Sequence, residues 1–335
     1  MATLDNGTHE LARRLAEAGA RIHPILVELF PPGQFDHLSP PFWHHMSSGG
    51  KRIRPALCLL CCEALGGDPA RALQFAAAIE ILHNLLLIHD DVEDGDTVRR
   101  DQPTVWVKFG LENAINLGDY MLGRAYTCIL RSPVEAHTRL RLLSVFTETC
   151  ELTCRGQAID LNCRGREDFA IEHYLEMVTL KTGRYLALGM VGGGIVAGLD
   201  ERATRVIQEL GCNMGPAFQI RDDLIDLTQG KGRGGARGND IREGKPGILY
   251  AHALSAARAL DGRRLMDIMR RPRDQTREED VQWVIALYER LGSLEFARQK
   301  ADQLVAEAFE TIERIPVENK EFFRQVARFM VERET

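Results

Sequence analysis

Five long stretches of this chain repeat apolar residues at helical spacing, and almost none alternates them as a half-buried strand would. They run from Ala70 to His89, Leu111 to Leu130, Leu140 to Asp160, Tyr174 to Gly198 and Arg202 to Leu227. Ala, Leu, Glu, Arg and Met, which lose little freedom in a helix, fill most segments. Breaks fall at Pro31-Pro32, Pro40-Pro41, Gly66-Gly67-Asp68-Pro69, Ser132-Pro133 and Arg271-Pro272. The pattern predicts an all-α fold. A length of 335 residues suits two domains or one large one. No composition shift, linker or short repeat divides the chain, so residues 1–335 read as one large helical domain.

The formal net charge of −6 and the interspersed acids and bases describe solvated helix faces, with no basic stripe for a nucleic acid. Met1 to Glu17 is polar and lacks the apolar core of a signal peptide. No run reaches the roughly 18 apolar residues of a membrane span, so none is predicted. The cysteines show no second ligand set at zinc-finger spacing. Cys58-x-x-Cys61 and Cys150/Cys154 therefore read as reduced core thiols of a cytoplasmic protein.

One pattern occurs twice. LLLIHDDVED places Asp90, Asp91 and Asp94 after one apolar run, and AFQIRDDLID places Asp222, Asp223 and Asp226 after another. In each, the first and last carboxylates stand at i and i+4, on one helix face about a turn apart. Like charges gathered at an apolar helix end cost stability unless a cation neutralises them. Carboxylate oxygens without His or Cys partners favour Mg²⁺, which keeps waters and shares its coordination with phosphate oxygens. Two such clusters describe a site that grips a diphosphate through several metal ions. Candidate phosphate-binding cations surround them: Lys51 and Arg54 in GGKRIRP, Arg99 and Arg100 after the first cluster, then Lys181 and Lys245.

These residues resemble the trans-isoprenyl (polyprenyl) diphosphate synthases, geranylgeranyl and farnesyl diphosphate synthases among them. GGKRIRP, HDDVEDGDTVRRDQPT, the Lys181-Thr182 pair of TLKTGRY, FQIRDDLID and DIREGK match that family in order and approximate spacing. The resemblance implies a large helical bundle of the isoprenoid synthase type with a central active-site cavity. It implies that Lys51, Arg54, His83 and Arg100 hold isopentenyl diphosphate. Arg99, Lys181, Thr182, Gln219 and Lys245 hold the allylic diphosphate. Asp90, Asp94 and Asp222 coordinate Mg²⁺, expected as three ions bridging to the diphosphate, with Asp91, Asp223 and Asp226 in support. A homodimer is also implied. Two departures stand out: Asp101-Gln102 where the family often has Gly-Lys, and Gly247 where it usually has Thr.

The implied reaction is ionisation of the allylic diphosphate, condensation with isopentenyl diphosphate, and elimination of a proton. The Gly- and Lys/Arg-rich stretch Gln229 to Arg237 is a candidate lid, with Lys231, Arg233 and Arg237 competing as its cation; a plain connector is the other reading. Leu85 and Leu86, about one turn before Asp90, would bound the growing chain and favour a C20 product, with C15 and C25 or longer open. Gly192-Gly193-Gly194 either admits that chain or lets helices pack. Two rival readings are a terpene cyclase of the same fold and a non-catalytic partner subunit of a heteromeric synthase. The intact GGKRIRP argues against the first, and the complete aspartate clusters argue against the second.

Overall fold

The computed structural model describes residues 6–33, 37–228 and 237–331. The helices in chain order are α1 (Asn6–Ala20), α2 (His23–Leu29), α3 (Ser39–Ser47), α4 (Ile53–Ala64), α5 (Pro69–Glu93), α6 (Val105–Phe109), α7 (Leu111–Leu130), α8 (Ala136–Asn162) and α9 (Ile171–Val178). They continue with α10 (Arg184–Val196), α11 (Glu201–Thr228), α12 (Asn239–Arg242), α13 (Ile248–Ala256), α14 (Ala259–Met269), α15 (Glu278–Arg290), α16 (Ser293–Arg314) and α17 (Glu321–Val331). A π-helical turn, Thr179–Gly183, joins α9 to α10. Among the described residues the only strands are β1 (Val98–Arg99) and β2 (Gln102–Pro103), which pair antiparallel. The fold is all-α, as the periodicity predicts. Residues 229–236, most of the candidate lid with Lys231 and Arg233, lie outside the described residues.

The chain forms two compact units. The first comprises Met1–Glu148, Leu188–Ile207 and Ile315–Phe329; the second comprises Thr149–Ala187, Gln208–Arg314 and Met330–Thr335.

The first unit is built on α5. Asp68 caps that helix by accepting from the Ala70 amide at 2.9 Å, and Pro69 fills its first turn. Phe75 through Ile79 are all fully buried, so this helix is apolar on every side. By length and composition alone it could cross a membrane, yet 67% of its most apolar window is buried inside the protein. That burial makes it a core helix, packed against α4 and α7.

Gly192 and Gly193 have a packing role here. A Cβ on Gly192 would lie 2.1 Å from the Phe75 ring, and one on Gly193 would lie 2.3 Å from the Cys58 carbonyl oxygen. The same side of α10 carries Cys61's partner: Cys61 Sγ donates to Met190 O at 3.2 Å. Cys58, Cys61 and Cys62 are buried core thiols, and all eight cysteines are free.

In the second unit α13 packs against α9, α15 and α16 around Tyr250, Val284, Leu287 and Tyr288. Gly183, at the end of the π turn, meets α11 backbone to backbone. A Cβ on Gly215 would lie 2.4 Å from Gly183 Cα, and one on Gly183 would lie 2.9 Å from Gly211 O. Glycine is needed wherever two backbones approach this closely. Gly215 precedes Gln219 by one turn and Asp222 by two, so this contact holds the π turn beside the second aspartate cluster.

Candidate active site

One group of candidate residues lies in the first unit. Asp90 and Asp94 are half-buried at the end of α5, where the Asp94 amide closes the helix on Asp90 O at 2.8 Å. Asp91 is 1% exposed and pairs with Arg99, whose Nε and Nη2 both reach Asp91 Oδ1, at 2.7 and 2.6 Å. Arg99 thus stands with the first carboxylates. It does so on β1, while Arg100 and Asp101 form the two-residue turn of the ribbon at φ 50° and 62°. Positive φ at both positions is the type I′ geometry that glycine and asparagine or aspartate accept most easily. This explains the family's frequent Gly at position 101, and Asp101 is a tolerant substitute.

Arg100 turns back onto the GGKRIRP loop, where a Cβ on Gly50 would lie 3.1 Å from Arg100 Nη1. The two motifs that the sequence separates by about half a hundred residues are therefore in contact. His83 lies in the field of Arg54 and Arg100. Burial first, then these cations, pull its pKa well below the ordinary histidine range, so it is a neutral ring. Its neighbour His45 is lowered to about 3, by burial and then by Arg99, and its Nε2 bonds Asn84 Oδ1 at 3.1 Å. Leu85 is 6% exposed and Leu86 half-buried on the same helix.

In the second unit, a second group of candidate residues lines a cavity of about 300 Å³. Its walls include Lys181, Thr182, Gln219, Asp222, Asp223, Asp226 and Lys245, every sequence-predicted residue of this part of the chain. Lys181 and Thr182 stand on the π turn, a geometry that recurs at functional positions. Gly156 of α8 makes room for that turn, since a Cβ there would lie 2.7 Å from the Lys181 amide. One helical turn on, Asp160 accepts from Lys181 Nζ at 2.9 Å.

On α11, Gln219 Nε2 donates to Asp223 Oδ1 at 2.9 Å and Tyr174 Oη donates to Asp223 Oδ2 at 3.0 Å. Burial and then the Asp223 charge hold Tyr174 far above the usual tyrosine range, so it remains a donor. Asp226 is fully buried and accepts from the Asp240 amide at 3.1 Å, tying α12 to the cluster. Lys245 Nζ lies 2.6 Å from Glu243 Oε2, whose other oxygen takes Arg273 Nη1 at 3.1 Å. Gly247 caps α13 in extended backbone, and a Cβ there would lie 3.4 Å from Asp223 Oδ2. The threonine usual in the family would set its side chain against Asp223 at that point.

Sequence reasoning did not find Asp160, Tyr174 or Glu243. Glu243 lies two residues before Lys245 in DIREGK and was legible in principle. Tyr174 and Asp160 are brought in by tertiary packing, and no local spacing marks them.

Known proteins resemble this chain over most of its length. The polyprenyl synthetase family pattern matches residues 35–288. A short chain isoprenyl diphosphate synthase of Methanothermobacter thermautotrophicus is 36% identical over 87% of this chain and 89% of its own. A geranylfarnesyl diphosphate synthase of Natronomonas pharaonis is 30% identical over 95% of this chain and 96% of its own. Among solved structures, geranylgeranyl pyrophosphate synthetase of Pyrococcus horikoshii superposes with a TM-score of 0.88 at 34% identity, covering 97% of this chain and 99% of that one. The chain belongs to the polyprenyl synthetase family and is a prenyltransferase, an isoprenyl diphosphate synthase.

Proposed function

We propose that this enzyme joins isopentenyl diphosphate head-to-tail to an allylic diphosphate, that it needs Mg²⁺, and that its main product is C20. The observation that carries the reading is the second-unit cavity, which gathers Lys181, Thr182, Gln219 and Lys245 around Asp222. That set supplies what an allylic diphosphate needs: two ammonium groups, a hydroxyl, an amide and a carboxylate for metal. Arg99 is assigned to the same ligand. Lys51, Arg54, His83 and Arg100 are assigned to isopentenyl diphosphate, with His83 as a neutral hydrogen-bonding group rather than a cation.

Among the described residues no three His, Cys, Asp or Glu side chains form a prebuilt metal cage. Asp90, Asp94 and Asp222 offer hard carboxylate oxygens only, a donor set that fits Mg²⁺ shared with diphosphate oxygens. When bound, the expected three ions stabilise the negative charge of the departing diphosphate. Lys181 and Lys245 hold that diphosphate as its C–O bond breaks and leaves an allylic cation. Lys51, Arg54 and Arg100 hold isopentenyl diphosphate so that its double bond forms the new C–C bond. The proton lost from the adjacent carbon passes to the departed diphosphate, and no side-chain nucleophile takes part. Water is kept from the cation by enclosure.

Leu85 and Leu86 support the C20 reading as medium-sized side chains at the depth where the growing chain would end. The Pyrococcus protein's name specifies C20 and the Natronomonas protein's C25, which brackets the choice. A second copy is the expected partner, since α7 leaves Leu111 and Ile115, one helical turn apart, each 45% exposed. The eight free thiols support a cytoplasmic setting, and residues 1–335 are taken to act as one synthase domain. Removal of Mg²⁺ by a chelator abolishes consumption of both substrates on this reading, and added Mg²⁺ restores it. Persistent turnover in chelator would remove the metal from the scheme. A molecular mass in solution of one chain would remove the dimer.

A further inference from the structure

Arg52 sits between Lys51 and Arg54 with φ 45°, a left-handed backbone that side chains other than glycine rarely adopt. A Cβ on Gly19, at the end of α1, would lie 2.8 Å from Arg52 Cβ and 3.0 Å from Arg52 O, so glycine there admits the loop. Arg52 Nε also lies 4.0 Å from Glu80 Oε1, and the Glu80 side chain is only 5% exposed.

Glu80 belongs to α5, one turn before His83 and Asn84. Asn84 Nδ2 donates to Glu80 O at 2.8 Å, and Asn84 Oδ1 meets His45 at 3.1 Å, so the surrounding helix surface is fixed. A buried glutamate is uncommon and requires compensation. Burial pushes its pKa up, and Asn84 together with the charges of Arg52, Arg54 and Arg100 pulls against that rise. A carboxylate beside cations meant for a diphosphate opposes that ligand by simple electrostatics. Its presence calls for a role other than charge.

We propose that Glu80 and Arg52 are a positioning pair for isopentenyl diphosphate: Glu80 secures the left-handed turn at Arg52, and that turn aims Lys51 and Arg54 at the diphosphate. The proposal rests on the assignment of Lys51, Arg54, His83 and Arg100 to that ligand. Neither member of the pair touches substrate. Both act through the backbone that carries the binding residues.

The test is the steady-state kinetics of Glu80→Gln, which keeps the shape and removes the charge. The pair predicts that KM for isopentenyl diphosphate rises about tenfold, with KM for the allylic substrate unchanged and kcat altered less than about threefold. Arg52→Gln gives the same pattern, and the double variant is no worse than either single one. Arg52→Lys, which keeps a cation near Glu80, recovers most of the loss. If Glu80 were merely an opposing charge, KM for isopentenyl diphosphate would fall, and that result overturns the pair. A purely structural role lowers kcat through the folded fraction and leaves both KM values in place, which overturns it equally. Additive losses approaching a hundredfold in the double variant do the same. Should Glu80→Gln not fold, the two Arg52 variants carry the test alone. If the unaltered enzyme uses no isopentenyl diphosphate, the site assignment fails; if it does and the variants match it, only the pair fails.

Discussion

Tyr174 and Asp223 form a buried hydrogen bond of 3.0 Å, hydroxyl to carboxylate, while Gln219 holds the other oxygen of the same group. Asp223 is thereby pinned on both sides, which suits a supporting carboxylate beside Asp222. Tyr174→Phe removes a bond to a charged group, a loss of about 1.5–3 kcal/mol. Urea unfolding should show a reduction of that size, with a raised KM for the allylic substrate and an unchanged KM for isopentenyl diphosphate. Unaltered stability would mean that Asp223 is held without the Tyr174 hydroxyl.

Acid should weaken the first unit through its neutral histidines. His45 has a folded pKa near 3 and His83 one well below its ordinary value, each lowered chiefly by burial. The unfolded chain binds protons on both below about pH 6.5 while the native chain does not. Stability from this source is therefore complete above that pH and is lost as pH falls towards the folded values. The slope is at most about 1.4 kcal/mol per pH unit for each histidine. Denaturant unfolding between pH 7 and 4 measures it, and His45→Gln should flatten the slope. A slope unchanged in that variant would show that His45 does not contribute.

Gly193→Ala places a methyl group 2.3 Å from the backbone oxygen of Cys58, where no flexible side chain can move aside. The expected loss is about 1–3 kcal/mol, the usual cost of overpacking. Thermal unfolding measures it. An unchanged midpoint would mean that α4 and α10 separate freely.

Much of this was legible in the sequence. Both aspartate clusters announce themselves by i, i+4 spacing at the ends of apolar runs, and Lys181 and Lys245 line one cavity with the second cluster. Other features depend on tertiary packing. The π turn under Lys181 exists because Gly156, Gly183, Gly211 and Gly215 let three backbone segments close together, and glycine spacing alone does not reveal that. Asp160 reads as an ordinary helix acid until Lys181 is seen beside it. Gly192 and Gly193, which left a choice between product channel and helix contact, resolve into packing on Phe75 and α4. The apolar length of α5 resembles a membrane span because a core helix buried on all sides meets the same demand for apolar surface.

Leu85→Ala opens space one turn before the first cluster. The product should lengthen by at least one five-carbon unit, read by mass after dephosphorylation. An unchanged distribution would show that Leu85 is not the floor.

The most direct measurement is the product formed from isopentenyl diphosphate and each allylic starter in turn, with Mg²⁺ present. A ladder of prenyl diphosphates ending chiefly at C20 is the predicted result. Consumption of the allylic diphosphate alone, giving a hydrocarbon or alcohol without incorporation of isopentenyl units, would contradict the proposed condensation.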